Sequence, residues 1–125
     1  MGVIILNLLT IQSLFPNFNI SDFKMFNEII SLNWETVIDD ITFEKYKYLT
    51  LEMVSSTSYK ILMEFKNVNS FRFKGDGKIS GFYIKDMSVM GYESNSKYEV
   101  GDYENDEIEF YCSDMEIKKI GKIEF

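Results

Sequence analysis

Strict alternation of apolar and polar side chains through the middle of the chain limits its fold more than any other feature. Leu49, Leu51 and Met53 alternate with Thr50 and Glu52; beyond Ser55-Ser56-Thr57, Tyr59, Ile61, Met63 and Phe65 alternate with Lys60, Glu64 and Lys66. A period of two puts every second side chain on one face, so two such runs joined by small hydroxyl residues predict a β-hairpin with one wet face. Leu62 interrupts the polar side and predicts partial cover there.

The pattern continues downstream. Asn67-Val68-Asn69 predicts a bend, after which Phe71 and Phe73 alternate with Arg72 and Lys74. Gly75-Asp76-Gly77 is a strong turn signal, because glycine reaches positive φ without steric cost. Residues 79–84 are apolar on both faces and read as a central strand, with Gly81 marking a bulge or a close neighbour. Residues 91–96 read as a polar loop. Ile108, Phe110 and Cys112 alternate with Glu107, Glu109 and Tyr111, and Met115 and Ile117 extend the alternation. Lys118-Lys119-Ile120-Gly121 reads as a turn into a last short strand at Ile123 and Phe125.

Residues 21–33 leave helix and strand both open. Phe23, Phe26, Ile30, Trp34, Val37 and Ile41 recur at near-helical spacing, and Ser21-Asp22 supplies a helix cap. Ile29-Ile30 and Thr36-Val37-Ile38 are β-branched and oppose a helix. Composition takes the strand side: the chain has no alanine, its only proline is Pro16, and it carries 11 Phe and 8 Tyr. The expected fold is mainly β, an antiparallel twisted sheet or two-layer β-sandwich of about six to eight strands, with room for one short N-terminal helix. At 125 residues, residues 1–125 are expected to form a single domain.

Composition also removes whole classes of chemistry. Histidine is absent and Cys112 is the only cysteine, so Cys–His and Ser–His catalysis, an internal disulfide and a structural zinc site within one chain are excluded. No cofactor is expected. The apolar stretch 3–9 lacks a preceding basic residue and a small-residue cleavage pattern, and it is too short to span a bilayer. Leu6 stands where N-myristoylation needs Ser or Thr. The expectation is a cytoplasmic protein with no membrane partner, in which residues 3–9 belong to the folded domain. Nucleic acid is not an expected partner either, because the net charge is −7 and Arg72 is the only arginine. The Ser-x-x-Lys matches at Ser94 and Ser21 lack the companion motifs of penicillin-recognising enzymes. The adjacent acids Asp39-Asp40 and Asp106-Glu107 would point to opposite faces of a strand, which argues against paired-carboxylate catalysis.

One charge feature stands out. Between positions 99 and 116 lie Glu99, Asp102, Glu104, Asp106, Glu107, Glu109, Asp114 and Glu116, with no Lys or Arg among them. Such a run is usually a solvated face. It also suits a negative surface that steers and orients a basic protein. Asp102, Glu104 and Asp106 alternate as calcium ligands would, yet no glycine follows the third acid and no glutamate stands twelfth, so the EF-hand spacing fails and no metal is expected. Tyr98 and Tyr103 flank the acids and are the candidate interface aromatics, since tyrosine combines area with a polar tip. The candidate partner-binding residues are therefore Tyr98, Glu99, Asp102, Tyr103, Glu104, Asp106, Glu107 and Glu109; none is a catalytic candidate.

Four segments carry a resemblance: Met63-Glu64-Phe65-Lys66-Asn67-Val68, Ile79-Ser80-Gly81-Phe82-Tyr83-Ile84-Lys85-Asp86, Lys97-Tyr98-Glu99-Val100, and Ile108-Glu109-Phe110-Tyr111-Cys112 through Ile117. Over about residues 60–117 the chain resembles small bacterial β-proteins, some of which are immunity partners of polymorphic toxins. The shared pattern is one of core strands, so it implies a fold and carries over no site residue. Together with the acidic run it leads to one expectation: a non-enzymatic binding module of the immunity type that neutralises a basic toxin. The alternatives are a small-ligand or carbohydrate-binding β-module using Trp34 and the tyrosines, and an enzyme using carboxylates alone.

Overall fold

The computed structural model describes residue 12, residues 16–87 and residues 96–123. The stretch 3–9, most of the polar loop at 91–96, and Phe125 lie outside the described residues. No helix among the described residues is long and apolar enough to cross a membrane.

A 3-10 helix, Ile20–Met25, precedes strands β1 (Phe26–Ile38), β2 (Lys45–Ser55), β3 (Tyr59–Lys66), β4 (Asn69–Phe73), β5 (Phe82–Asp86), β6 (Tyr98–Asp102), β7 (Ile108–Cys112) and β8 (Asp114–Lys122). These form two four-stranded sheets, ordered β1-β2-β3-β8 and β4-β7-β6-β5. Every pairing is antiparallel. The fold is mainly β with a short helical piece near its start, as the alternation and composition imply.

The predicted hairpin is β2–β3, with Leu51 opposite Met63 and Leu49 opposite Phe65. Its apolar set is fully buried apart from the half-buried Tyr59, and Leu62 on the other face is half-buried too. From the facing sheet, Phe82, Ile84, Val100, Ile108, Phe110 and Cys112 turn inward to meet it. Phe65 and Phe110 touch edge-on across the interior, with ring centroids 5.0 Å apart. Both sheets thus contribute to one buried cluster, the arrangement a two-layer sandwich requires.

Residues 21–33 divide between the two readings. The helix is confined to Ile20–Met25 and is capped by Asn19 rather than by Ser21-Asp22: the Asn19 side chain accepts from Ser21 N, and Asp22 reaches back to Asn19 N. From Phe26 onward the chain is strand. Register shifts between Phe26 and Glu28 and between Ile29 and Ser31 displace the inward set, so Phe26, Ile29 and Leu32 turn to the core three apart, while Ile30 and Trp34 from the near-helical series stay exposed.

Two strand assignments change. Strand β5 begins at Phe82 and lies at a sheet edge, not at its centre. Ile79 is buried because residues 77–79 cross the start of β1, with Ile29 N donating to Gly77 O at 2.7 Å and Ile79 N to Asn27 O at 3.0 Å. That crossing ties the sheets together along one side. It needs Gly77, whose φ is +91° and where a Cβ would fall 2.6 Å from Ile29 O. At the other end of the chain, residues 118–121 do not turn: β8 runs unbroken to Lys122, absorbing an irregularity where it passes Leu62 and Met63.

Candidate functional site

The outward positions of the second sheet follow from the inward ones. With Phe82 and Ile84 buried on β5, Tyr83 and Lys85 face out; with Tyr98 and Val100 buried on β6, Glu99 and Gly101 do; with Ile108 and Phe110 buried on β7, Glu109 and Tyr111 do. Tyr83 pairs directly with Gly101 and lies across it. A Cβ at Gly101 would be 2.9 Å from the Tyr83 hydroxyl oxygen, so only glycine leaves room for the ring. The Tyr83 hydroxyl donates to Glu99 Oε2 at 2.8 Å, and the Tyr111 hydroxyl donates to Glu99 Oε1 at 2.9 Å. Both carboxylate oxygens are therefore held between tyrosines of the flanking strands. Desolvation, then the hydrogen bond and charge of Glu99, push the Tyr83 hydroxyl well above its ordinary value of 10.0.

Tyr103 completes this array. It leaves the end of β6 and stacks on Tyr83, with ring centroids 4.0 Å apart and planes 19° from parallel. Its backbone N–H donates to Gly81 O, and a Cβ at Gly81 would press within 3.3 Å of the Tyr103 Cβ. The sequence signal at Gly81 thus marks a close neighbour, and that neighbour is a tyrosine left 70% exposed. Beside it the Ser80 hydroxyl donates to Glu104 at 2.7 Å.

The acidic run does not form one continuous negative face. Asp102 is only 4% exposed and accepts hydrogen bonds from the backbone N–H groups of Glu107, Ile108 and Ser80. Tyr98 is 2% exposed and belongs to the interior. Glu107 turns back to accept from Gly77 N. Asp106 accepts from Arg72 at 2.7 Å and lies 3.8 Å from Lys74; Glu109 is 3.5 Å from Arg72. The Arg72 hydrogen bond holds the Asp106 carboxyl below its usual range. Glu116 lies 3.1 Å from Lys118 and 4.0 Å from Lys66. Cations absent from positions 99–116 thus reach the acids from β3, β4 and β8.

Of the eight expected residues, Glu99, Tyr103, Glu104, Asp106 and Glu109 remain at the surface, whereas Tyr98 and Asp102 are buried and Glu107 braces the 75–77 turn. Among the described residues, Glu99 and Glu104 have no cation within ion-pair distance. Tyr83 and Gly101 are the members that sequence reasoning missed, and Tyr111 entered it only among the tyrosines of the ligand-binding alternative, although a glycine inside the alternating 98–102 run was a readable signal of close approach. Trp34 does not join the tyrosines. It packs on Phe71 with centroids 5.0 Å apart and lies under Lys47 at the β1 side of the sandwich.

A groove of about 690 Å³ runs along the β5 edge below Tyr103, lined by Ile20, Lys24, Phe82, Ile84 and Lys85 among others. No three or more His, Cys, Asp or Glu side chains among the described residues gather as metal ligands would. Asp106 and Glu107 engage different partners, Arg72 and Gly77. No protein-family model, curated protein or solved structure matches the chain.

Proposed function

We propose that the protein is a binding module of the immunity type, which holds a basic protein against the outer face of β5, β6 and β7. The observation that carries this reading is the array Tyr103–Tyr83–Glu99–Tyr111. Stacking, two hydrogen bonds and the Gly101 gap fix these side chains before any partner arrives, so little side-chain freedom remains to be lost on association. Tyrosine is also among the residues that most often dominate binding energy at protein interfaces. Glu99 and Glu104 supply negative charge for a cationic partner, a narrower acidic patch than the linear run suggests.

The test is affinity capture of the tagged protein at low salt from cells that naturally make it, with rising salt used for release. A stoichiometric basic protein is expected. Tyr103→Ala and the double change Glu99→Gln with Glu104→Lys should each abolish its retention, whereas Glu116→Gln on the opposite sheet should not. Retention that ignores the first two variants would remove this face from the mechanism.

The groove along β5 favours a second reading, a small-ligand module with Tyr103 as its rim. A thermal shift with a sugar or metabolite, lost in Tyr103→Ala and in Lys24→Ala, would support it over a protein partner.

A further inference from the structure

The outer face of the first sheet is charged unevenly along its length. Toward one end, Glu64 and Glu116 stand opposite one another on β3 and β8, and Lys66 and Lys118 offset them at 3.1 to 4.0 Å. Toward the other end this balance is lost. Lys60 pairs across the strands with Gly121, and Leu62 with Lys119, so Lys60 and Lys119 stand diagonally on one face. Among the described residues neither has an acid within ion-pair distance, and nor does Lys122. Like charges on neighbouring strands repel, and here nothing in the fold offsets them.

Gly121 lies in the middle of this group, and the fold does not call for it. Strand β8 does not turn there, and its backbone is outside the left-handed region. At Gly77, Gly81 and Gly101 a neighbour comes within 2.6 to 3.3 Å of where a Cβ would stand, whereas at Gly121 no atom comes within 4 Å. Glycine weakens a strand interior, and it is found there where another group must approach closely. Around Gly121 a recess of about 270 Å³ opens, with Leu62 and Ile123 as apolar walls and the three lysines about it. Its far wall is fixed, because Ile123 N donates to Ser58 O at 2.6 Å.

We infer that this recess binds a small phosphate monoester, its phosphate over Gly121 and among Lys60, Lys119 and Lys122. Lysine ammonium groups bind phosphate oxygens as point charges, and a dianion set among three of them turns their mutual repulsion into attraction. The missing Cβ lets the phosphate lie against the strand. Leu62 and Ile123 cover the carbon body of the ester, and Glu52, which also lines the recess, accepts from a hydroxyl on that body. The volume is at the small end of ligand sites, which start at about 300 Å³, so a compact metabolite fits and a peptide segment does not. The site lies on the sheet opposite the β5-β6-β7 face and does not depend on the reading given to that face.

Amide-resolved NMR titration of the full chain in a phosphate-free, low-salt buffer tests this, with phenyl phosphate and inorganic phosphate as probes. Phenyl phosphate is expected to give saturable shifts at residues 60–62 and 119–123 and to bind more tightly than inorganic phosphate. Lys60→Gln and Lys119→Gln should each weaken binding by roughly tenfold, the worth of one charge-assisted hydrogen bond. Gly121→Val should abolish binding and leave the urea midpoint unchanged or raised, because valine suits an open strand position. Lys85→Gln, on the other sheet, should change nothing. Equal affinity for the two probes would overturn the ester and leave inorganic phosphate as the ligand. The site itself would be overturned by the absence of saturable shifts at these residues, by the same shifts with sodium chloride at matched ionic strength, or by binding that survives Gly121→Val. Loss of stability in Gly121→Val would overturn it too, for the fold would then require the glycine.

Discussion

At one end of the sandwich the β6–β7 loop turns its polar groups inward. Asp102 is buried and satisfies three backbone N–H groups, Glu107 braces the neighbouring glycine turn, and Asp106 holds Arg72. At the opposite end the β1–β2 turn uses Asp39 to order its own backbone and leaves Ile41 and Phe43 in water. Both turns are ordered, but only the first is stitched to the rest of the molecule. Exposed charge at the first end is largely structural, and exposed apolar surface at the second is not. Changes at the first end should therefore be felt in folding, and changes at the second far less.

The largest expected effect is at Asp102. Asp102→Ala strands buried N–H groups and should lower stability by roughly 2–4 kcal/mol in urea unfolding. A loss below about 1 kcal/mol, the worth of a single ordinary hydrogen bond, would erase the contrast between the two ends. Gly77→Ala comes next, at about 1–3 kcal/mol, because it combines positive φ with a collision against the Ile29 carbonyl. Hydrogen exchange should then rise at Ile29 and Ile79 before it rises at Met63.

Glu99→Gln should cost about 0.5–1.5 kcal/mol, the range of weakened hydrogen bonds, and it also changes the response to alkali. The folded-state value of Tyr83 lies above its unfolded value near 10.0. Its contribution to stability is thus complete below that value and drains away as pH rises through the higher folded one. Removing the Glu99 charge should bring one tyrosine back towards ordinary titration, read as tyrosinate absorbance. At the acid side the signs reverse for Asp39 and Asp106, both lowered from 3.8 by hydrogen bonds. Their contributions are present above that value and vanish as pH falls through the lower folded ones. The smallest effect belongs to the β1–β2 turn: Ile41→Ser should shift stability by less than about 0.5 kcal/mol in urea unfolding, as solvent-exposed substitutions do.

The two regions were not equally legible. Hairpin β2–β3 and strand β7 could be read because their alternation is uninterrupted and one face is wet. Strand β1 resisted because its two register shifts break the period of two, so the inward residues Phe26, Ile29 and Leu32 fall three apart. Residues 79–84 misled for another reason. Ile79 is buried by a backbone crossing that joins positions about fifty residues apart, and local pattern cannot express such a contact. The acidic run was plain, but its neutralisation by Arg72 and Lys74 depends on β4 lying beside β7. The tyrosine array likewise needs three strands in register before Glu99 has anything to hold.

The order β1-β2-β3-β8 carries a consequence for how the chain is made. Strand β3 finds its second neighbour only in residues 114–122, which leave the ribosome after both strands of the second sheet's central pair. During synthesis the β2–β3 hairpin waits with a bare edge while an entire second layer is produced. Closure of the first sheet therefore waits for β8 to emerge, and a ribosome stalled before Asp114 would hold a chain whose β2–β3 hairpin is still open to the wrong neighbour.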